Sequence, residues 1–320
     1  VTEHSAPRPL TGIAITYKAP GGYEVIEICE RTVRSPAVGE VRITVKAAAV
    51  NPTDIGLRER GIPGQNWTIV PGMDAAGIIE SVGPGVSRLQ IGQQVMAAVM
   101  PRRSEGGAQA QHIVVPAASV VPIPAGVSLA QASTLPMNGL TALRALELGG
   151  LGAGQCLAVS GGAGLLAHYA IAAAKRQGLK VVADAKPAEA DLVRSYGADI
   201  VVARGPAFAE AIRQAVPAGV DALLDTALLA EASFGAIRDN GVYIPVRGWA
   251  DKPSARGIQI KPVFVSEVLE RTAWLEQLRD MVAAAAIKLR VAGEYAPEHL
   301  ADAQRALEAG GLRGRAVILF

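Results

Sequence analysis

Leu157 to Lys175 reads LAVSGGAGLLAHYAIAAAK, a strand, a glycine turn and a helix in unbroken succession. The apolar run Cys156 to Val159 suits a strand buried in a parallel sheet. Gly161, Gly162 and Gly164 let the backbone turn tightly and approach an anion. The residues that follow start a helix whose unpaired N–H groups and positive dipole end face that anion. The spacing is G-x-x-G-x-x-A, counting Gly161, Gly164 and Ala167. The third position governs how closely helix and strand pack, and Ala adds only a methyl group there. Such a unit builds a place for a dinucleotide, although small residues also occur in plain turns.

Working outward, strand and helix signals alternate at α/β spacing. Lys180 to Ala183 reads as a short strand, followed by a helix over Ala188 to Tyr196. A strand at Ile200 to Val202, a helix near Ala207 to Ala215 and a strand at Val220 to Leu224 come next. A further helix is predicted over Ala230 to Arg238, with Asn240-Gly241 turning into a strand at Val242 to Val246. Gly257 to Val265 reads as the last strand. Alternation of this kind implies a parallel sheet covered on both faces, with right-handed crossovers and the glycine turn at the carboxyl edge of its first strand.

The N-terminal part has a different texture. Short alternating runs at Gly12 to Tyr17, Tyr23 to Cys29, Glu40 to Ala48, Gly77 to Val82, Gln93 to Ala98 and Ala110 to Val115 are punctuated by Gly and Pro turns. They read as a small, curved β-barrel. Pro122-Ile123-Pro124 marks a junction, and Leu129 to Leu148 supplies linking helices. Beyond Val265 the pattern predicts a helix over Val268 to Ala285, a strand over Lys288 to Tyr295, a helix over Pro297 to Glu308 and a strand over Arg315 to Phe320. The expected organisation is a discontinuous barrel domain, 1–125 and 266–320, around a dinucleotide domain, 126–265.

Composition narrows the function classes. Half of the 320 residues are hydrophobic but only 4% are aromatic, so the cores must be built of Ala, Val, Leu and Ile. Lys and Arg total 31 against 29 Asp and Glu, a formal charge of +2, which gives no electrostatic case for nucleic acid or membrane binding. No segment approaches the ~20 apolar residues of a membrane span. The two cysteines, Cys29 and Cys156, fall in expected strands as buried thiols. A cytoplasmic protein is therefore the expectation.

Several ordered motifs then carry a resemblance. Asn51-Pro52-Thr53-Asp54, Pro71-Gly72-Met73-Asp74-Ala75-Ala76-Gly77, Ile91-Gly92-Gln93-Gln94-Val95, Leu135-Pro136-Met137-Asn138-Gly139-Leu140-Thr141-Ala142 and Leu312-Arg313-Gly314-Arg315-Ala316-Val317 follow one another around the glycine turn. Together they resemble the medium-chain dehydrogenase/reductase superfamily, in its zinc-free quinone oxidoreductase branch related to zeta-crystallin. The resemblance implies an α/β protein with a GroES-like β-barrel catalytic domain joined to a Rossmann doubly wound parallel-sheet domain. It also implies a cleft between them and a homodimer made by pairing the last Rossmann strand.

A catalytic zinc needs three ligands from Cys, His and carboxylate. Where zinc alcohol dehydrogenases of the superfamily place a Cys and a His-Glu pair, this chain has Asn51-Pro52 and Met73-Asp74. The stretch Met96 to His112 has no Cys, and His4, His112, His168 and His299 are scattered. His168, on the first turns of the dinucleotide helix, reads as a packing or solvent-facing residue. The expectation is no zinc. Without a Lewis acid, reduction is favoured over alcohol oxidation, because a quinone or an enone accepts hydride directly into a delocalised oxyanion. A quinone has less need of a protein acid than an enoyl substrate. Many relatives carry a Tyr after the N-P-x-D motif, where this chain reads Ile55-Gly56-Leu57. The first expectation is thus an NADPH-dependent quinone oxidoreductase acting without zinc. The alternative is an enone or enoyl (alkenal) reductase, and a non-catalytic nucleotide-binding or RNA-binding protein is a third reading.

Candidate catalytic residues are Asn51, a carboxamide able to donate to a substrate carbonyl, and Thr141, which the resemblance places near the nicotinamide. Asn51 also suits the cap of the helix that follows, as does Asp54. Trp67, Met73 and Asn138 are candidates to line the pocket, with Pro101-Arg102-Arg103-Ser104 as a mobile rim. For the cofactor, Gly161, Gly162, Ala163, Gly164, Leu165 and Leu166 form the turn. An acid after the second strand accepts the ribose hydroxyls of NAD, whereas basic groups there take the 2′-phosphate of NADP. Asp184 argues one way, while Lys186, Arg204 and Arg313 argue the other. NADPH is favoured, with NADH as the alternative. Thr226, Ala227, Val246 and Phe264 complete the expected contacts.

Overall fold

A computed structural model describes residues 8–65, 68–249 and 255–320. The chain divides into two compact units. One comprises Val1–Met137, Leu269–Ala283 and Lys288–Phe320; the other comprises Asn138–Val268 and Ala284–Ile287.

In the second unit six strands form one parallel sheet: β1 (Cys156–Ser160), β2 (Lys180–Ala185), β3 (Ile200–Ala203), β4 (Val220–Asp225), β5 (Ile237–Pro245) and β6 (Gln259–Ile260). Their spatial order is β3-β2-β1-β4-β5-β6. The order reverses at β1, so a crevice opens between the carboxyl ends of β1 and β4, which is where such sheets bind ligands. Ser160 at the end of β1 pairs in register with Asp225 at the end of β4. Ala158, Val182, Leu223, Phe208, Ile212 and Tyr243 pack on one face of this sheet, the small residues of the central strands letting helices lie close.

Several elements differ from expectation. Ala230–Ala236 is a 3₁₀-helix, and β5 begins at once with Ile237, not at Val242. Gly235 is a poor α-helix former, and Ser233 Oγ donates to the Ala230 carbonyl, so the segment settles in the tighter turn. Asn240, expected in a turn before the strand, lies inside β5 with φ 57°. The pairing of β4 with β5 shifts between Val220 and Ala222, which absorbs that residue. The last strand is also shorter than Gly257 to Val265, because Pro262 has no N–H for the ladder. Lys261 N–H and Val263 N–H still donate to Tyr243 and Pro245 on either side of it.

The first unit is a seven-stranded sheet and a two-stranded ribbon. Val291–Tyr295, Arg315–Leu319, Glu40–Ala49, Asp74–Val82, Gln94–Ala98 and Val120–Pro122 neighbour one another in that order, and His112–Pro116 also pairs with Glu40–Ala49. Leu10–Tyr17 pairs antiparallel with Ile26–Val33, while Tyr23–Val25, expected as strand, forms a 3₁₀ turn. Val41, Ile43, Val45, Ile79, Val95 and Ile113 meet in its core. The C-terminal strand returns here, with Val317 opposite Ala49 and Leu319 opposite Ala47. That return brings Arg315 beside the end of the long central strand.

Candidate functional site

The glycine turn follows β1 directly. Gly161 has φ +70°, and a Cβ there would lie 2.6 Å from Thr226 Oγ1, so only glycine fits. A Cβ on Gly162 would lie 2.5 Å from the carbonyl oxygen of Asp184. Gly164 N–H donates to the Gly161 carbonyl across 2.8 Å, closing the turn, and Gly164 then caps the helix Leu165–Arg176. Being at the start of that helix, the N–H groups of Leu165, Leu166 and Ala167 reach no carbonyl within it. Ala163 is buried beneath the turn. Unpaired N–H groups and the positive end of a helix dipole at this end of the unit suit an anion.

Its far wall is held by one buried carboxylate. Asp225 Oδ1 accepts from Ser160 Oγ at 2.6 Å, and Oδ2 accepts from Tyr243 Oη at 2.7 Å and from Ala230 N–H at 2.9 Å. Ser160 Oγ in turn accepts the N–H groups of Thr226 and Ala227, while Thr226 Oγ1 donates to the Ser160 carbonyl. Thr226 and Ala227 are thereby fixed beside Gly161. Burial raises the Tyr243 hydroxyl well above its ordinary value, and its bond to Asp225 adds to that. Leu228 and Ala230 adopt φ of 59° and 49°, a left-handed conformation uncommon for residues with a Cβ. Val246 N–H reaches the Asp225 carbonyl at 3.4 Å, and Phe264, after the β6 edge, is 59% exposed.

The near wall carries the acid and the base that sequence alone set against each other. Asp184 is buried near the end of β2 with Oδ1 accepting from Gly162 N–H and Oδ2 from Arg204 Nε, each at 3.0 Å. Arg204 N–H also donates to the Ala185 carbonyl, which places the residue just past β3 and beside the end of β2. Lys186 is exposed and caps the 3₁₀ turn Pro187–Glu189. His168 is a packing residue, its ring stacked on Tyr196 with centroids 4.0 Å apart.

In the first unit, Asn51 opens the helix Pro52–Arg60 and joins a buried polar network. Asp54 N–H donates to the Asn51 carbonyl, and Asp54 Oδ2 accepts Asn51 N–H at 2.8 Å. The Asn51 carboxamide also reaches further members of the network. Its Nδ2 donates to Asp74 Oδ2 at 2.6 Å and its Oδ1 accepts from Arg315 Nε at 2.9 Å. Asp74 Oδ1 accepts Met137 N–H at 2.6 Å, while Asp54 also accepts from Gly72 N–H and Gln109 Nε2. Burial pushes both carboxyl groups up to about 7. For Asp54 the neighbouring Asp74 raises it further; donated hydrogen bonds and the Arg315 charge act against the rise in both.

Thus Asn51 and Met73-Asp74 come together, and the donor expected to meet a substrate is engaged with Asp74. Met73 is buried, with its carbonyl accepting Val99 N–H. Asn138 and Thr141 are buried on the helix Pro136–Gly149. Arg313 lines an open hollow of about 590 Å³ with Gln131, Leu289 and Arg290. Trp67 lies outside the described residues. Sequence reasoning missed Asp74, Gln109 and Arg315 as site residues. A charge heading an apolar strand was the available signal for Asp74 and Arg315; nothing marked Gln109.

Both Asp74 oxygens already accept protein N–H donors, and among the described residues no three His, Cys, Asp or Glu side chains gather as metal ligands. No described helix is long and apolar enough to cross a membrane.

Comparison with known proteins agrees with this architecture. Residues 37–125 match the alcohol dehydrogenase GroES-like domain, and residues 196–318 match the zinc-binding dehydrogenase family. The chain is 27% identical over 317 residues to an Arabidopsis thaliana NADPH-dependent alkenal/one oxidoreductase, covering 95% of this chain and 78% of that one. It is 30% identical over 191 residues to a quinone-oxidoreductase homolog of Spinacia oleracea, 57% of each chain. A mycobacterial protein solved in complex with NADPH superposes with a TM-score of 0.83 at 24% identity, over 97% of this chain and 100% of that one. A GroES-like unit, a six-stranded Rossmann sheet with its glycine turn and these relatives place the chain in the medium-chain dehydrogenase/reductase superfamily, as an oxidoreductase.

Proposed function

We propose that the protein reduces quinones with NADPH and does so without zinc. The observation that carries this reading is the carboxyl edge of β1 to β4. There a closed glycine turn, a helix N-terminus and the Arg204 guanidinium border one crevice, which suits the pyrophosphate and 2′-phosphate of NADPH. When bound, NADPH supplies a hydride from its nicotinamide ring. The turn holds the pyrophosphate, Asp225 keeps Thr226 and Ala227 in place beside it, and Lys186 adds positive charge near the 2′ position. Phe264 and Val246 offer apolar surface at the same edge. An NADPH-dependent relative supports the cofactor.

In the first unit Asn51 acts as a positioning residue. Its carboxamide ties the start of the helix Pro52–Arg60 to Asp74 and Arg315. The zinc-independent reading rests on the donor set, since among the described residues Asp74 is not joined by two further His, Cys, Asp or Glu side chains as metal ligands. The two free cysteines suit a reducing, aqueous compartment, the cytoplasm in this reading. Among the described residues β6 has no strand beyond it, and that open edge supports a homodimer formed by pairing two such strands.

The test is NADPH consumption, followed by its near-ultraviolet absorbance, with benzoquinone, phenanthrenequinone and a simple enone offered to the purified chain. Quinone turnover that survives a strong chelator supports the reading. The alkenal/one relative keeps one alternative in view, and turnover of the enone alone would establish it. No consumption and no NADPH binding would reject both.

A further inference from the structure

We infer that Asp184 is an internal competitor for Arg204, and that the two together set the balance between cofactors with and without a 2′-phosphate. The inference rests on the NADPH reading above and concerns how this chain tunes it.

Asp184 is 4% exposed in its side chain and Arg204 35%. Arg204 spends Nε on Asp184 Oδ2, and its Nη2 lies 3.4 Å from the point a Gly161 Cβ would occupy. The guanidinium therefore stretches across the mouth of the turn, held there by the carboxylate. The other oxygen, Oδ1, is anchored by Gly162 N–H, so the carboxylate cannot follow the arginine if the latter moves. Lys186, the other base of this edge, has no such tie, being exposed at the start of a 3₁₀ turn.

Two consequences follow from charge and geometry. A buried carboxylate facing the adenosine end would repel a 2′-phosphate, and Arg204 cancels that charge while leaving donors for the phosphate. A guanidinium shared between two anions is weaker for each than one held by the phosphate alone. Asp184 thus lowers the affinity for a 2′-phosphate that Arg204 supplies. Without Arg204 the same carboxylate becomes an acceptor for two ribose hydroxyls, and the preference inverts.

The test uses fragments that lack the nicotinamide. The purified chain is titrated by calorimetry with 2′,5′-ADP and with 5′-AMP at one ionic strength, as wild type, Asp184→Asn, Arg204→Ala and Arg204→Lys. Asp184→Asn keeps an acceptor oxygen for Gly162 N–H, and thermal melts show which variants remain folded. Asp184→Asn is expected to bind 2′,5′-ADP several-fold more tightly. Arg204→Ala is expected to lose roughly ten- to hundredfold for 2′,5′-ADP and to prefer 5′-AMP, the range for one lost charge-assisted contact. Arg204→Lys should fall between. Unchanged or weakened 2′,5′-ADP binding by folded Asp184→Asn overturns the competition while leaving the NADPH reading intact. Failure of the wild type to bind either fragment overturns the cofactor reading itself.

Discussion

Arg315 Nε donates to Asn51 Oδ1 across 2.9 Å, joining residues 264 positions apart. The bond places one guanidinium against a buried network that holds two carboxylates. Replacing Arg315 with Met keeps much of the side-chain volume but leaves the Asn51 oxygen without that donor. A loss of about 1–3 kcal/mol in unfolding free energy is expected. Urea denaturation of Arg315→Met measures it, and an unchanged midpoint would show that the bond contributes nothing net.

The same network predicts a pH dependence. In the folded protein Asp54 and Asp74 titrate at about 7, against an ordinary value of 3.8 in the unfolded chain. Between those limits the folded state binds more protons. The pair's stabilising contribution is therefore complete below the ordinary value and is lost as pH rises through about 7. Asp74→Asn removes one titrating group. The stability difference, wild type minus variant, should shrink as pH rises from about 4 to 7.5. A difference that is flat or grows with pH contradicts the assignment.

Gly161 tests the turn. Alanine there carries both the left-handed φ of +70° and an overlap with Thr226 Oγ1, which is itself pinned to the Ser160 carbonyl. A cost of about 1–3 kcal/mol in stability is expected, with a loss of NADPH affinity of at least about tenfold. Calorimetric titration with NADPH checks this. Full affinity in Gly161→Ala would mean that the turn is only architecture.

Leu228 and Ala230 hold φ of 59° and 49° because Asp225 grips the segment at both ends, through Ser160 and through Ala230 N–H. Leu228→Gly relieves the left-handed strain of about 1–2 kcal/mol but adds unfolded-state entropy of about 0.5–1 kcal/mol. A change between neutral and a gain of about 1.5 kcal/mol follows. Asp225→Ala, by contrast, should expose the Thr226 to Ala230 amides to faster hydrogen exchange and raise the KM for NADPH. Protection equal to wild type would show that the loop is held by other means.

Local signals were strongest where a single segment had to satisfy its own backbone. The glycine turn, the alternation from β1 to β4 and the return of the terminal strand were legible because buried parallel strands, tight turns and helix starts each restrict which residues fit. The 3₁₀ segment after β4 was not legible. Its apolar spacing suits an α-helix, and what overrides it is a side-chain bond within the segment, with Gly235 weakening the helix. Asn240-Gly241 read as a turn for a similar reason, since a left-handed Asn inside a parallel strand depends on the register of its neighbour.

By itself the sequence determined the two-part architecture and the place of the glycine turn, because periodicity and glycine spacing act over neighbouring residues. Only the tertiary structure decided how the polar residues spend their hydrogen bonds. It turned the Asn51 carboxamide toward Asp74 and Arg315, and it paired Asp184 with Arg204 where sequence alone set them in opposition. The physical reason is that a buried charge must find partners wherever the fold brings them, and those partners lie on other elements and loops, 20 to 264 residues away.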